Sequence, residues 1–341
     1  MVKKVKKYYD IVIVGSGPAG CSFLDNLDEK YDVLMVDKNK IPYSKVCGGL
    51  LTNDSMEFFN EINIDTPDYI FSHPKKLKKE YVDLDNNVSR IDGYVYNTER
   101  TELNKWLFDR VKDKADVLEE TSFEKMENCD DKINVMLKDK NNNITEVSCK
   151  YLIGADGVYS KVRKEIKVPC LTKYVAIQDI GETDKELDKF ILFFSKDTTD
   201  YYAWAIPKGD KIITGLAYPH EFTNKVDKIR KITEKKIGGK IKVYKREGYS
   251  IARPLSQDEL FLGEGNVLLI GEAAGWISPS SGDGISFALR SGYNCAKSFK
   301  DGENILENYK KNSKKLFNNF IKKLKKSKII SSPKLRAKLF E

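Results

Sequence analysis

The sequence predicts an α/β protein: a Rossmann-type nucleotide-binding domain, an antiparallel β domain (α+β) set into it, and a basic helical tail. Three observations carry this. Ile11-Val12-Ile13-Val14 is an unbroken apolar run, the pattern of a parallel strand covered on both faces, and it enters Gly15-x-Gly17-x-x-Gly20. Two later apolar runs, Tyr151-Leu152-Ile153 and Val267 to Ile270, also lead into glycine turns. Between them lie segments that alternate as antiparallel strands do.

In the first unit the three glycines serve three ends, namely a tight turn, close approach of a pyrophosphate to backbone, and close packing of helix on strand. Pro18 and Ala19 open the helix, whose N-terminal amides and dipole face the phosphates. Val33 to Val36 forms the second strand and ends at Asp37, placed to accept from an adenosine ribose hydroxyl. A carboxylate there favours NAD or FAD over NADP. Residues 41–50 read as a functional loop, 51–62 as a helix capped by Asn53 or Asp54, and 78–96 as strands. A helix over 98–114 carries Arg100 in its first turn. Residues 115–148 read as a strand and a β meander, followed by a separate strand at 151–153 that meets Gly154-Ala155-Asp156-Gly157. Strands are expected at 190–195, 201–206, 211–218 and 241–249, with a helix over 224–237. The strand ending at Ile270 meets Gly271-Glu272-Ala273-Ala274-Gly275, and a long helix runs from Ile285 to Phe299. The nucleotide domain is thus expected from 1–72, 97–170 and 255–303, the inserted substrate domain from 73–96 and 171–254, and the tail from 304–341.

Composition narrows the function. With 341 residues, 40% of them hydrophobic, the chain can bury a large core. Six scattered cysteines show no metal-ligand or disulfide spacing, and His73 and His220 are the two histidines, so no metal site and no histidine triad is expected. No apolar run is long enough to span a bilayer, and nothing at the N-terminus resembles a signal peptide; a cytoplasmic monomer is expected. The net charge is +8, but residues 310–341 hold twelve Lys or Arg against one acid. The body is therefore slightly acidic, and no nucleic-acid partner is expected.

Four motifs accumulate: G-x-G-x-x-G at 15–20, Arg100, G-A-D-G at 154–157, and G-E-A-A-G with S-G-D-G-I at 271–285. Together they resemble the fingerprints of FAD enzymes with the p-hydroxybenzoate hydroxylase type of fold. K-V-C-G-G-L at 45–50 and Y-Y-A-W-A-I-P-K-G-D at 201–210 narrow the resemblance to the FAD-dependent geranylgeranyl reductase family, with its short bacterial CbrA-type members nearest. It extends over the whole chain. The resemblance implies a glutathione-reductase-type FAD domain, FAD as cofactor, and reduction of C=C bonds in an isoprenoid or similar lipid-like substrate. The electron donor stays open between NAD(P)H and a reduced carrier. Flavin-dependent hydroxylation or halogenation is the alternative, since Tyr202-x-Trp204-x-Ile206-Pro207 resembles the halogenase W-x-W-x-I-P with Tyr first; a non-catalytic FAD- or lipid-binding protein is another.

Carried over residue by residue, the resemblance places Gly15, Gly17, Ala19, Gly20, Asp37, Lys45, Cys47, Gly48, Arg100, Asp156, Gly271, Glu272, Gly282, Gly284 and Ile285 at the cofactor. Arg100 brings a fork of donors to ribityl and phosphate oxygens, or is a solvated helix arginine. Asp156 bridges the glycine turn and cofactor, or caps a helix. Glu272 stands where the family has Asp. Gly282, Gly284 and Ile285 offer helix-start amides to the flavin pyrimidine edge. Cys47 lies beside the isoalloxazine as a catalytic proton donor, or is a small buried hydrophobe. Tyr202 and Trp204 share a strand face and line the substrate cavity, or are core. In the tail, Leu316, Phe317, Phe320, Ile321 and Leu324 make a stripe flanked by lysines. Such a helix lies peripherally on an anionic membrane surface or packs on the body.

Overall fold

The computed structural model describes residues 5–129, 131–219, 225–300 and 302–340. In chain order the elements are β1 (Tyr8–Val14), α1 (Pro18–Asn26), β2 (Val33–Val36), β3 (Leu50–Leu51), α2 (Asn53–Glu61), β4 (Phe71–Asp83), β5 (Val88–Thr98) and α3 (Arg100–Asp109). Then come β6 (Asp116–Leu118), β7 (Thr121–Cys129), β8 (Lys132–Asp139), β9 (Ile144–Gly154), α4 (Lys161–Glu165), β10 (Lys173–Glu182), β11 (Lys189–Ser195), β12 (Thr199–Lys208) and β13 (Lys211–Pro219). The chain continues through α5 (Val226–Ile237), β14 (Lys242–Ala252), β15 (Gly263–Glu264), β16 (Val267–Leu269), α6 (Ile285–Ser298), α7 (Ile305–Asn312), α8 (Lys314–Ile330) and α9 (Pro333–Phe340).

The first sheet has the order β15-β16-β9-β1-β2-β6, with β7 and β8 continuing from β9. β1 pairs in parallel with both β2 and β9. Its side chains alternate between two cores: Ile11 and Ile13 face one, Val12 and Val14 the other. This double burial is why the run contains no polar residue. The second sheet has the order β14-β10-β13-β12-β11-β4-β5-β3.

Three elements differ from the sequence reading. The strand at 151–153 is the end of β9, whose first half pairs antiparallel with β8 and whose second half pairs parallel with β1. The loop 41–50 ends in the short strand β3, paired to β5 through Leu50 and Asn97. Strand β10 has no counterpart in the sequence reading, because its polar residues are buried: Gln178 is 2% exposed and Asp179 1%. Asp179 is held by Arg246 at 2.6 Å and Arg230 at 2.7 Å, partners no local pattern reveals. The helix read from 224 begins, among the described residues, at Val226; His220 lies outside them.

The tail is part of the body. Leu316 and Phe320 are buried beside Trp276 and Phe287, with Phe317, Ile321 and Leu324 packed against the same cluster. Ile330 joins the core over the second sheet, and Arg336 on α9 is 3% exposed. The apolar stripe therefore packs on the body, the second of the two placements the sequence allowed, and no observation supports a peripheral membrane association. Among the described residues no helix is long and apolar enough to cross a membrane.

Candidate functional site

One cavity of about 1030 Å³ extends from the glycine turn after β1 to the face of the second sheet beneath α8. At its first end, a Cβ on Gly15 would lie 2.4 Å from the Ala155 carbonyl, and one on Gly20 would lie 2.1 Å from the Gly15 carbonyl. These glycines let helix, strand and turn touch. Gly17 is different: the nearest atom to such a Cβ is the Tyr43 hydroxyl at 3.9 Å, so its bareness keeps space open at the start of α1. Ala19 lines the cavity, while Gly20 stands behind it.

Asp37 at the end of β2 organises this turn. One carboxylate oxygen accepts from Ser16 N at 2.8 Å and Ser16 Oγ at 2.7 Å, the other from Asn39 N at 2.9 Å and Asn39 Nδ2 at 3.0 Å. All four acceptor positions are thus taken within the chain. Asp37 lines the cavity and, through Ser16 and Asn39, fixes the turn at the cavity wall.

At this end of the cavity two lining residues, Arg100 and Asp156, carry buried polar atoms without partners. Arg100, 9% exposed at the start of α3, donates through Nη1 to Asn104 Oδ1, yet its Nε has no partner. Asp156 caps the start of α4 by accepting from Lys161 N at 2.7 Å and Val162 N at 3.3 Å, while its Oδ1 is buried and unpaired. Burial raises its pKa. Unsatisfied buried donors and acceptors are costly, and here they belong to two side chains that line the cavity. Open backbone at Gly17, an arginine fork and unpaired polar atoms fit a dinucleotide with pyrophosphate and ribityl oxygens.

Midway, Lys45 Nζ lies 3.3 Å from Glu272 Oε2 and 5.4 Å from the centre of the Tyr249 ring. The Glu272 charge raises the Lys45 pKa. Glu272 Oε1 accepts from Ala252 N at 2.8 Å. The longer side chain thus reaches across to Lys45 and β14 while still lining the cavity. Gly271 does not line the cavity; its φ is +57° and a Cβ there would meet that of Ala19 at 2.7 Å. It is a packing glycine. Gly282, Gly284 and Ile285 line the cavity at the start of α6, but the Gly282 amide is already bonded to Ser278 O at 2.9 Å. Asp283 between them accepts from Thr52 Oγ1 at 2.8 Å and Ser286 Oγ at 2.7 Å.

On the opposite wall Cys47, Gly48 and Gly49 face the cavity, with the Cys47 sulfur accepting from Gly49 N at 3.4 Å. A Cβ on Gly48 would lie 2.6 Å from Ile206 Cδ1, so the turn and β12 touch there. Tyr202 donates to Ser281 O at 2.6 Å, and burial pushes its phenol pKa up. Trp204 is 9% exposed and its buried Nε1 has no partner. Both line the cavity, together with Tyr81, Phe190 and Phe194. At the rim stand Lys79 of β4 and Lys323 and Lys326 of α8. Burial, then Lys323 and Lys79, lower the Lys326 pKa against Asp92.

The structure thus gathers all the candidates except Gly20 and Gly271 on one cavity. It adds Tyr43, Thr52, Asp283, Tyr249 and the rim lysines, which the sequence reading missed. Asp283 was within reach of that reading, as the acid of the S-G-D-G motif. The rim lysines carry no signal, because β4 and α8 meet only in the fold. Among the described residues no cluster of potential metal ligands occurs.

Comparison with known proteins agrees with this geometry. The FAD binding domain family model matches residues 8–315. Protein CbrA of Escherichia coli O9:H4 (strain HS) is 30% identical over 342 residues, covering 97% of this chain and 92% of the relative. That of Shigella sonnei (strain Ss046) is 30% identical over 343 residues, 97% of this chain and 95% of its own. Among solved structures, a geranylgeranyl bacteriochlorophyll reductase-like protein from Thermoplasma acidophilum superposes with a TM-score of 0.85 at 21% identity, covering 98% of this chain and 91% of that one. The flavin-dependent halogenase CmlS gives 0.70 at 16% identity, over 93% and 64%. At these identities the structures establish the shared fold. The glycine turn, the cavity and the family match converge: this chain belongs to the FAD binding domain family, an FAD-dependent oxidoreductase.

Proposed function

We propose that the protein reduces carbon–carbon double bonds of an apolar, isoprenoid-like or lipid-like substrate. The observation that carries this is the wall facing Cys47: Tyr81, Phe190, Phe194 and Trp204 make an aromatic surface continuous with the cofactor end of the same cavity. Such a wall binds by desolvation and offers few polar groups to discriminate a polar substrate. Lys79, Lys323 and Lys326 at the rim suit an acidic head on such a molecule.

Bound FAD, once reduced, supplies the hydride for this reaction. Arg100 and the α1 amides hold the phosphates, and Lys45, fixed by Glu272, adds a second positive charge on the same side. Cys47 holds a proton on a thiol that faces the cavity and can pass it to the neighbouring carbon. Tyr202, engaged with Ser281 O, orients the wall. The α8 helix contributes Lys323, Lys326 and Ile330 to the substrate end of the cavity.

The test mixes anaerobically prereduced holoenzyme with a panel of unsaturated lipids and polyprenyl acids, phosphates and alcohols. Flavin reoxidation with a product heavier by two hydrogens supports the reading. When the same mixtures are repeated with oxygen and halide admitted, insertion of hydroxyl or halide replaces it with the monooxygenase or halogenase reading. Reduction of the flavin with no turnover leaves a binding protein.

A further inference from the structure

Lys208, at the end of β12, is 8% exposed and is absent from the cavity lining. Its ammonium donates to Gly49 O at 2.9 Å and Thr98 O at 2.6 Å. No ion pair to a carboxylate accompanies these bonds among the described residues. Burial lowers its pKa to about 8; Glu99 and Cys47 are the titratable groups that act against this. A buried charge met only by carbonyls is an expensive arrangement, and an apolar side chain of similar length is ordinarily no worse for folding. The Gly49 carbonyl does not need it as a donor, since it also accepts from Thr98 N at 2.8 Å and Thr98 Oγ1 at 2.9 Å.

Its position explains its presence. Three segments meet at this ammonium: the Cys47-Gly48-Gly49 turn, the end of β5 leading to Arg100, and β12, which carries Tyr202 and Trp204. Gly49 has φ +58°, and a Cβ there would lie 2.4 Å from Thr98 O and 2.9 Å from Lys208 Nζ, so backbone abuts backbone with the ammonium as the third member. Asn97 Nδ2 closes the junction from the other side by donating to Pro207 O at 2.9 Å.

We propose that Lys208 is a positioning residue. It clamps the Cys47-Gly48-Gly49 turn to the start of α3 and to the substrate wall, and lends this turn a positive charge that favours the reduced, more negative flavin. The charge part rests on the flavin reading above; the clamp does not.

The experiment compares FAD-loaded wild type with Lys208→Met, which removes donor and charge, and Lys208→Gln, which keeps a donor and removes charge. Amide hydrogen exchange in peptides covering 45–51 and 96–100 rises several-fold in Lys208→Met and less in Lys208→Gln, with the rest of the chain unchanged. The flavin midpoint potential becomes more negative in both, a change that a purely structural anchor would not produce. Wild-type exchange in the turn overturns the clamp, and a wild-type potential in both variants overturns the charge part. If Lys208→Met does not fold, Lys208→Gln carries both readouts. Exchange is also read on protein without FAD, so failure of the flavin reading is told apart from failure of the clamp.

Discussion

Replacing Arg336 with methionine isolates what holds the tail over the cavity. The guanidinium donates to Asp83 through Nε at 2.7 Å and Nη2 at 3.1 Å, to Asp85 at 2.6 Å, and to Ile330 O through Nη1 at 2.6 Å. The Arg336 side chain is 4% exposed and that of Asp83 0%, so solvent screens the pair little. Removing one partner of a buried pair costs about 3–5 kcal/mol, chiefly because the other charge stays buried. Asp83 would keep Asn86 Nδ2 at 2.8 Å and the amides of Asp85 and Asn86 at 3.1 and 3.2 Å. The loss therefore falls at the lower bound, about 3 kcal/mol. Urea unfolding measures it, and adding Asp83→Asn to the variant recovers part of the loss. The pH dependence has a definite sign. Burial alone would raise the Asp83 pKa, but the Arg336 and Asn86 hydrogen bonds outweigh it and hold the pKa below the ordinary carboxylate value. The stabilisation is present above about pH 4 and is lost as pH falls through the depressed native value. The gap between wild type and variant accordingly closes in acid. A variant less than about 1 kcal/mol below wild type at neutral pH, the range of exposed pairs, would refute the buried-clamp reasoning.

Three further outcomes follow from the site. Arg100→Met weakens FAD binding by about 10- to 100-fold, the value of one or two charge-assisted hydrogen bonds, measured by flavin fluorescence titration; unaltered affinity would make Arg100 a helix residue only. Cys47→Ala keeps FAD but slows single-turnover reoxidation by substrate about 100-fold, the scale of general acid catalysis, and an unchanged rate returns Cys47 to packing. Lys323→Glu with Lys326→Glu raises KM for acid-headed amphiphiles and leaves KM for the matching alcohols in place; equal effects on both would remove the acidic head from the substrate description.

The parallel core and its glycine turn were legible in the sequence, because double burial dictates an unbroken apolar run in β1 and because backbone contact at Gly15 and Gly20 leaves no room for a Cβ. Arg100, Cys47 and the Tyr202–Trp204 face were readable through the family resemblance of their short motifs, with strand alternation adding that Tyr202 and Trp204 share one face. The tertiary structure decided which partners those groups meet. It turned the Asp37 carboxylate onto Ser16 and Asn39, Glu272 onto Lys45, and Gly271 into a packing contact. It buried Asp179 against arginines 51 and 67 positions away, hiding β10 behind a polar sequence. It also drew the apolar stripe of α8 onto the body and set Arg336 of α9 against Asp83 across 253 positions. Local pattern reports which face of an element is apolar. The identity of the surface that covers this face, and of the charge that meets a buried charge, depends on chain segments brought together only when both sheets have formed.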